Sequence, residues 1–319
     1  MITTDRARQF EHVVETFPEE ARRHVRAVSA YAGKLAAAQS KTIMEIMEIG
    51  QEALMVLLLP LARLYAITPI SNFRVGAVAK ASADSAGSEC DLYLGANIEF
   101  TGQALSQVVH AEQAATMNAW LQGAAQLHSI AVSAAPCGYC RQFLYELEGR
   151  DTLIIVTPGE GPRAFRSTRL AELLPEAFGP LDLKRTAGLM AASNDRQRLT
   201  LNTDVKDPLI LEALSAANRS YAPYTKNMAG CAIQANDGRI YRGSSVENAA
   251  FNPSLSPLQT AISSMNMGSL AQGRMITRAV LVEKPTSSGQ RAVTELILRS
   301  FAPDVSLEYF EAEYQEGRP

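Results

Sequence analysis

The chain repeats itself, and this constrains its fold more than any other feature. Ala66-Ile67-Thr68-Pro69-Ile70-Ser71 through Gly76-Ala77-Val78 parallels Ser220-Tyr221-Ala222-Pro223-Tyr224-Thr225 through Gly230-Cys231-Ala232. Pro69 and Pro223 lie 154 positions apart, as do Gly76 and Gly230 (223 − 69; 230 − 76). Tyr93, Gly95 and Glu99 then match Tyr241, Gly243 and Glu247 at a separation of 148 (241 − 93; 247 − 99). The six lost positions fit a shorter hairpin loop in the second copy. Gln113 and Gln259 follow in register. Chance yields one such match, not several in order. A length of 319 residues suits two domains, and 47% hydrophobic residues can fill two cores.

Each copy reads as alternating strands and helices. In the first, Ala53 to Ile67 is an apolar helix, broken at Thr68-Pro69-Ile70-Ser71-Asn72. Val75–Ala79 and Leu92–Ala96 read as a strand hairpin across a small-residue loop, Ala81 to Glu89. Leu105 to Leu121 is a predicted helix carrying His110 and Glu112. Ser129–Ser133 is a strand, Cys137 to Glu148 starts a helix, and Thr152–Val156 is a β-branched strand. This order predicts an α/β fold: two copies of a three-layer α/β/α core on a mixed sheet. Before them, Pro18 to Gly33 and a run from Ser40, a candidate N-cap, read as helices. The expected boundaries are an N-terminal helical region at 1–50, a first core at 51–157, an extended linker at 158–205 and a second core at 206–319. Glycines, prolines and a polar stretch from Ser193 to Arg198 mark the linker.

The first copy holds His110, Cys137 and Cys140, one imidazole and two thiolates. Three such ligands leave the fourth position of a tetrahedral zinc site to water. Glu112, two residues after His110, is placed to move protons beside that metal. The zinc-bound water, with its pKa lowered to about 7, supplies a hydroxide, and a carboxylate can carry its proton onward. A lone C-x-x-C could also be a redox pair or half of a structural zinc site. A structural site wants a fourth Cys or His. Cys90 and Cys231 lack a nearby partner, and His12, His24 and His128 complete no spaced pair. In the second copy Ser256 falls opposite His110 and Leu258 opposite Glu112. Lys284-Pro285-Thr286 stands where Pro136-Cys137 would recur. The expectation is one zinc per chain.

Composition excludes several classes. A net charge of −3 and no basic–aromatic stripe argue against nucleic acid. Ala53 to Ile67 is short for a membrane span and contains Pro60 and Arg63. Four cysteines, two committed to metal, suit a reducing cytoplasm. Met1–Arg6 shows no signal-peptide pattern, so none is expected.

The H-x-E…P-C-x-x-C pattern is that of zinc-dependent base deaminases. With Ser71-Asn72-Phe73-Arg74-Val75-Gly76-Ala77, Gly95-Ala96-Asn97-Ile98-Glu99-Phe100, Val109-His110-Ala111-Glu112-Gln113 and Pro136–Phe143, the chain resembles the homodimeric, two-core cytidine deaminases of bacteria and plants. Asn218-Arg219-Ser220 and Glu247–Pro253 extend the resemblance into the second half. It runs from about residue 50 onward. The resemblance implies zinc on His110, Cys137 and Cys140, and proton transfer by Glu112. It implies that Phe73 packs on the pyrimidine and that Asn97 and Glu99 bind a ribose hydroxyl. The backbone at Ala111 would bind the base carbonyl. Ala250 and Phe251 would reach the partner subunit's pocket, so that a homodimer completes each site. The implied reaction is hydrolytic deamination of cytidine and deoxycytidine in pyrimidine salvage. A deaminase of a related nucleotide or base, and a non-catalytic zinc-stabilised binding protein, remain the alternatives.

Overall fold

The computed structural model of the chain describes residues 3–84, 89–161, 164–191, 198–270 and 275–315. Part of the Ala81–Glu89 loop and most of the Ser193–Arg198 stretch lie outside the described residues. Among those described, the helices are α1 (Thr3–Glu15), α2 (Glu19–Ala30), α3 (Ala37–Met47), α4 (Gln51–Arg63), α5 (Ala111–Leu121), α6 (Gly138–Leu144), α7 (Leu170–Leu173), α8 (Pro208–Arg219), α9 (Pro257–Met267) and α10 (Arg291–Phe301). The strands are β1 (Lys34–Leu35), β2 (Gly76–Ser82), β3 (Cys90–Ala96), β4 (Gln126–Val132), β5 (Ile154–Pro158), β6 (Phe165–Arg169), β7 (Leu199–Leu201), β8 (Ala229–Ala235), β9 (Ile240–Ser244), β10 (Ile276–Glu283) and β11 (Leu307–Tyr314).

The chain forms two compact units. One comprises Met1–Glu99, Val108–Ala191 and Asn266–Gly273; the other comprises Phe100–Gln107, Ala192–Met265 and Arg274–Pro319. In the first unit the sheet order is β1-β3-β2-β4-β5-β6, and only β4 and β5 run parallel. In the second it is β7-β11-β10-β8-β9, with β10 and β11 parallel. The shared pattern β3-β2-β4-β5 and β9-β8-β10-β11 is the repeat in three dimensions, and both sheets are mixed as expected.

The register of the first sheet decides where chemistry can sit. Gly76 opens β2 opposite Ala96, the end of β3. Ala77 lies opposite Val132, the end of β4. The loop before β2, the segment after β3 and the segment after β4 therefore emerge at one edge. Two helix starts, those of α5 and α6, follow there. Glycine permits close packing on this frame: a Cβ at Gly95 would stand 2.1 Å from Ala115 N of α5. At Gly243, the counterpart in the second unit, it would stand 2.2 Å from Ala261 N of α9. Only a residue without a Cβ allows such a helix approach.

Several boundaries differ from those expected. The expected N-terminal region, 1–50, is continuous with the first core. Phe10, Val14, Val25, Val28 and Ile43 share one buried cluster with Leu54, Leu58 and Leu61 of α4 and Leu92 and Leu94 of β3. Ser40 is not a cap: α3 begins at Ala37, and the Ser40 hydroxyl donates back to Ala36 O. The helix expected from Leu105 begins only at Ala111. Leu105–Gln107 form only a single 3-10 turn, and Ile98 and Val109 exchange both backbone hydrogen bonds, at 2.8 and 2.9 Å, which keeps Val109 out of the helix. The second helix ends at Leu144 rather than Glu148. The expected linker, 158–205, supplies β6 to the first sheet and β7 to the second.

Candidate metal centre and pocket

His110 is the N-cap of α5, extended at φ −83° and ψ 156°, with Ala111 and Glu112 in the first turn. The Gln113 side chain accepts the His110 N–H at 3.0 Å and fixes this start. Cys137 is likewise the N-cap of α6, and Cys140 lies one turn on, fully buried. The strand register thus brings two helix starts, 27 residues apart in sequence (137 − 110), to one place. Cys137 Sγ stands 3.7 Å from His110 Nδ1. One ligand atom from each of His110, Cys137 and Cys140 lies within 4.8 Å of the others. Among the described residues no other His, Cys, Asp or Glu cluster of this kind occurs.

The donor set fits zinc on chemical grounds. A hydrogen bond from the Cys140 thiol, with the nearby helix-start backbone N–H groups and His110, draws the Cys137 thiol down to about 5. Cys140 keeps the proton, its thiol pushed up by that same bond to Cys137 and by burial. A thiolate, a thiol and an imidazole held together offer the sulfur and nitrogen donors that zinc prefers, and binding would displace the remaining Cys140 proton.

Glu112 is 4% exposed and faces the same place. Burial pushes its carboxyl up to about 7, against hydrogen bonds from its own backbone N–H and from Cys140. A carboxyl titrating near neutrality can both take and give a proton.

These groups open into a cavity of about 280 Å³, small-molecule in scale. Phe73, Asn97, Glu99, His110, Ala111, Glu112 and Cys137 line it, so the structure brings together all but one of the expected site residues of the first copy. Cys140, fully buried, does not line it. The Phe73 ring is 61% exposed. Asn97 Oδ1 accepts Val75 N–H at 2.8 Å, and its Nδ2 donates to Phe73 O at 2.9 Å. Glu99 Oε2 accepts Ile70 N–H at 2.8 Å and Ser71 N–H at 3.0 Å, and the Ser71 hydroxyl donates to Oε1. These bonds outweigh partial desolvation, the largest single influence, and hold the Glu99 carboxyl below its usual range. Ala250 and Phe251 lie in the second unit, both exposed, with Phe251 in the left-handed region at φ 62°.

Sequence reasoning missed Ser71, Ala134 and Ala135, which also line the cavity. Ser71 precedes Phe73 by two in the repeated loop, a position that could have marked it. The two alanines carry no chemical signal, only the small size that leaves the cavity open.

The chain matches two family models, each described as the cytidine and deoxycytidylate deaminase zinc-binding region, over residues 49–157 and 170–295. It is 45% identical over 264 residues to a cytidine deaminase of Sodalis glossinidius, covering 80% of this chain and 82% of that one. A cytidine deaminase of Aliivibrio fischeri is 40% identical over 280 residues, covering 88% and 89%. One from Photorhabdus laumondii is 44% identical over 279 residues, covering 85% and 90%.

Proposed function

The chain belongs to the cytidine deaminase family, and on that premise we propose that it hydrolyses cytidine and deoxycytidine to uridine and deoxyuridine, releasing ammonia. The observation that carries this is one cavity holding both a buried, near-neutral carboxyl beside a His/Cys/Cys set and an exposed aromatic beside an amide–carboxylate pair.

His110, Cys137 and Cys140 would hold zinc, which would lower the pKa of a water to about 7. Glu112 carries the two protons of the attacking water in turn, one to the ring nitrogen and the other to the amino group, which leaves as ammonia as the C–O bond forms and the C–N bond breaks. The Phe73 ring lies against the pyrimidine face. Ala111 N–H, in the first turn of α5 and without an intrahelical partner, donates to the base carbonyl. Asn97 and Glu99 take a sugar hydroxyl, since an amide and a carboxylate together offer the donor and acceptor it needs. A free base would leave that pair unmatched, and a phosphate would meet the Glu99 charge.

We place this activity in pyrimidine salvage and in the reducing cytoplasm. The four cysteines Cys90, Cys137, Cys140 and Cys231 are all free thiols, which suits that compartment. No helix among the described residues is long and apolar enough to cross a membrane. A homodimer, with Ala250 and Phe251 of each chain closing the partner's pocket, is supported by an exposed aromatic on a turn of small residues.

Loss of ultraviolet absorbance on mixing zinc-loaded protein with cytidine tests the reaction. Deoxycytidine should also turn over, with cytosine and cytidine monophosphate far behind; efficient use of the monophosphate would favour a nucleotide enzyme. Refolding Glu112→Gln protein together with Ala250→Arg protein tests the shared site. Recovered activity is expected, and its absence from verified mixed dimers would return Ala250 and Phe251 to their own chain.

A further inference from the structure

We propose that Ser71 is a positioning residue whose single hydroxyl sets both the Glu99 carboxylate and the Phe73 backbone; this rests on the substrate-binding roles proposed above. A serine hydroxyl has one hydrogen to donate and two lone pairs to accept with. Its hydrogen goes to Glu99 Oε1, and one lone pair takes the Phe73 N–H at 3.0 Å. The hydroxyl therefore joins the group that receives the sugar to the residue that carries the aromatic ring.

The joint matters because it links the two partners and fixes Glu99 Oε1 and the Phe73 N–H. Phe73 has a mostly exposed ring, so its direction follows from its backbone. That backbone is clamped at N by Ser71 and at O by Asn97 Nδ2. Asn72 between them is in the left-handed region at φ 55°, which turns the chain sharply enough for Ser71 Oγ to meet the Phe73 N–H. For Glu99, the loop fills both acceptor positions of Oε2 and one of Oε1. One acceptor on Oε1 and one N–H of Asn97 Nδ2 then remain open. That pair matches a single hydroxyl that donates and accepts. A site with room for one sugar hydroxyl has no need of a second, which accounts for use of both ribose and deoxyribose.

The second copy contains the same device with one change. Thr225 Oγ1 donates to Glu247 Oε1 and accepts Asn227 N–H at 3.0 Å. Glu247 Oε2 accepts Tyr224 N–H at 2.8 Å and Thr225 N–H at 3.2 Å. Lys226 repeats the left-handed turn at φ 60°. Threonine thus makes every bond that Ser71 makes, which supplies a conservative variant for the test.

The experiment measures kcat and KM for cytidine in zinc-loaded Ser71→Ala, Ser71→Thr, Glu99→Ala and the Ser71→Ala/Glu99→Ala double variant. Zinc content and melting temperature are recorded for each. Ser71→Ala should raise KM about tenfold with kcat within about twofold, the size of a lost hydrogen bond to a charged partner. Ser71→Thr should stay within about twofold of wild type in KM. In the double variant, loss of the Ser71 hydroxyl should raise KM by clearly less than it does with Glu99 present, because only its hold on the Phe73 backbone remains to be lost. An unchanged KM in Ser71→Ala beside a raised KM in Glu99→Ala overturns the proposal and leaves the pocket intact. An unchanged KM in Glu99→Ala overturns the pocket reading itself. An additive effect in the double variant, or a fall in kcat alone, also overturns the proposal. If Ser71→Ala does not fold, Ser71→Cys keeps the shape with a weaker donor. It should raise KM several-fold, and an unchanged KM would overturn the proposal in the same way.

Discussion

The two copies carry the same frame and opposite contents. Both close a helix onto a glycine, Gly95 or Gly243, and both tie a loop to a carboxylate, Glu99 or Glu247. Both fix the start of the next helix with a glutamine, Gln113 on His110 N–H and Gln259 on Ser256 N–H. The difference lies in what faces the edge of the sheet. Ala77 pairs with Val132 and its counterpart Cys231 with Leu281, so Ala134 corresponds to Glu283 (132 + 2; 281 + 2). The loop offset of 154 sets Phe73 against Asn227. In the first copy, the small Ala134 and the exposed Phe73 leave a cavity. In the second, Asn227 Nδ2 donates to Glu283 Oε2 at 3.1 Å and to Lys284 O at 2.8 Å. Gln290 N–H donates to the same Glu283 oxygen at 2.7 Å. Both side chains are buried, 1% and 3% exposed. A hydrogen-bonded polar pair, with Asn227 Oδ1 left without a partner among the described residues, occupies the place that corresponds to the cavity. The frame is therefore separable from the chemistry: the loop latch and helix caps persist where the metal ligands and the opening do not.

Metal removal breaks the comparison most sharply. One zinc per chain is expected by metal analysis, with activity lost outright in His110→Ala or Cys137→Ala. Two tightly held zincs per chain would mean that the second copy is not empty. Next in size is Glu112→Gln, which keeps shape and ligands but cannot carry the proton. Its kcat should fall at least ~10²-fold with zinc and fold retained. Its counterpart Leu258 is fully buried. Leu258→Ala should instead cost roughly 2–5 kcal/mol of stability and spare the activity of the folded fraction. Equal catalytic losses in the two variants would erase the asymmetry.

Exchanging the filling residue gives a smaller and reciprocal effect. Ala134→Glu places in the active copy the carboxylate that fills the other, and should lower kcat/KM for cytidine ~10-fold or more by intruding an unpaired charge. Glu283→Ala should leave activity per folded molecule unchanged. It should destabilise by roughly 1–3 kcal/mol, because Asn227 and the Gln290 N–H lose a buried acceptor. Denaturant melts and steady-state kinetics on both variants check the pair. A catalytic defect in Glu283→Ala without a stability defect would give Glu283 a role in the reaction.

The sequence made the ligands legible because zinc demands particular residue types at particular spacings. It also made the repeat legible, because glycines that admit a helix cannot be replaced without a clash. The filling of the second pocket was not legible. Asn227 and Glu283 meet across 56 positions (283 − 227), and only strand register reveals it. The strand Phe165–Arg169 hid for another reason: it is an edge strand, mostly exposed, without alternation, and is held by backbone pairing to Ile154–Pro158. The sequence starts α5 too early because Leu105, Val108 and Val109 continue an apolar helical pattern, while the Ile98–Val109 bridge takes the Val109 backbone. Helix α1 has a readable signal in Phe10 and Val14, spaced four apart and both buried, with the buried Phe17 just past its end.

The smallest expected effect concerns acid. Glu99 sits in the folded chain with its carboxyl held below the ordinary value of 4.5, owing to the bonds from Ser71 and Ile70 that prevail over desolvation. A carboxyl whose folded value is depressed adds stability at pH above its unfolded value. That stability is lost as pH falls through the folded value. The window therefore opens near pH 4.5 and extends downward, and above it Glu99 titration leaves stability unchanged. Glu99→Gln keeps the shape but cannot ionise, so its melting temperature should approach that of wild type as pH drops through this window. The convergence should amount to no more than ~2 °C, because the carboxylate is only half-buried and solvent screens it. Glu112→Gln serves as the reference, since it removes a carboxyl that burial pushes up to about 7. Its linkage has the opposite sign: a raised carboxyl stabilises most below its unfolded value and loses that contribution as pH rises through 7. Melts of the two metal-free variants at pH 4 and pH 7 should diverge from wild type in opposite directions. Parallel shifts would show that the latch at Glu99 contributes nothing through its charge.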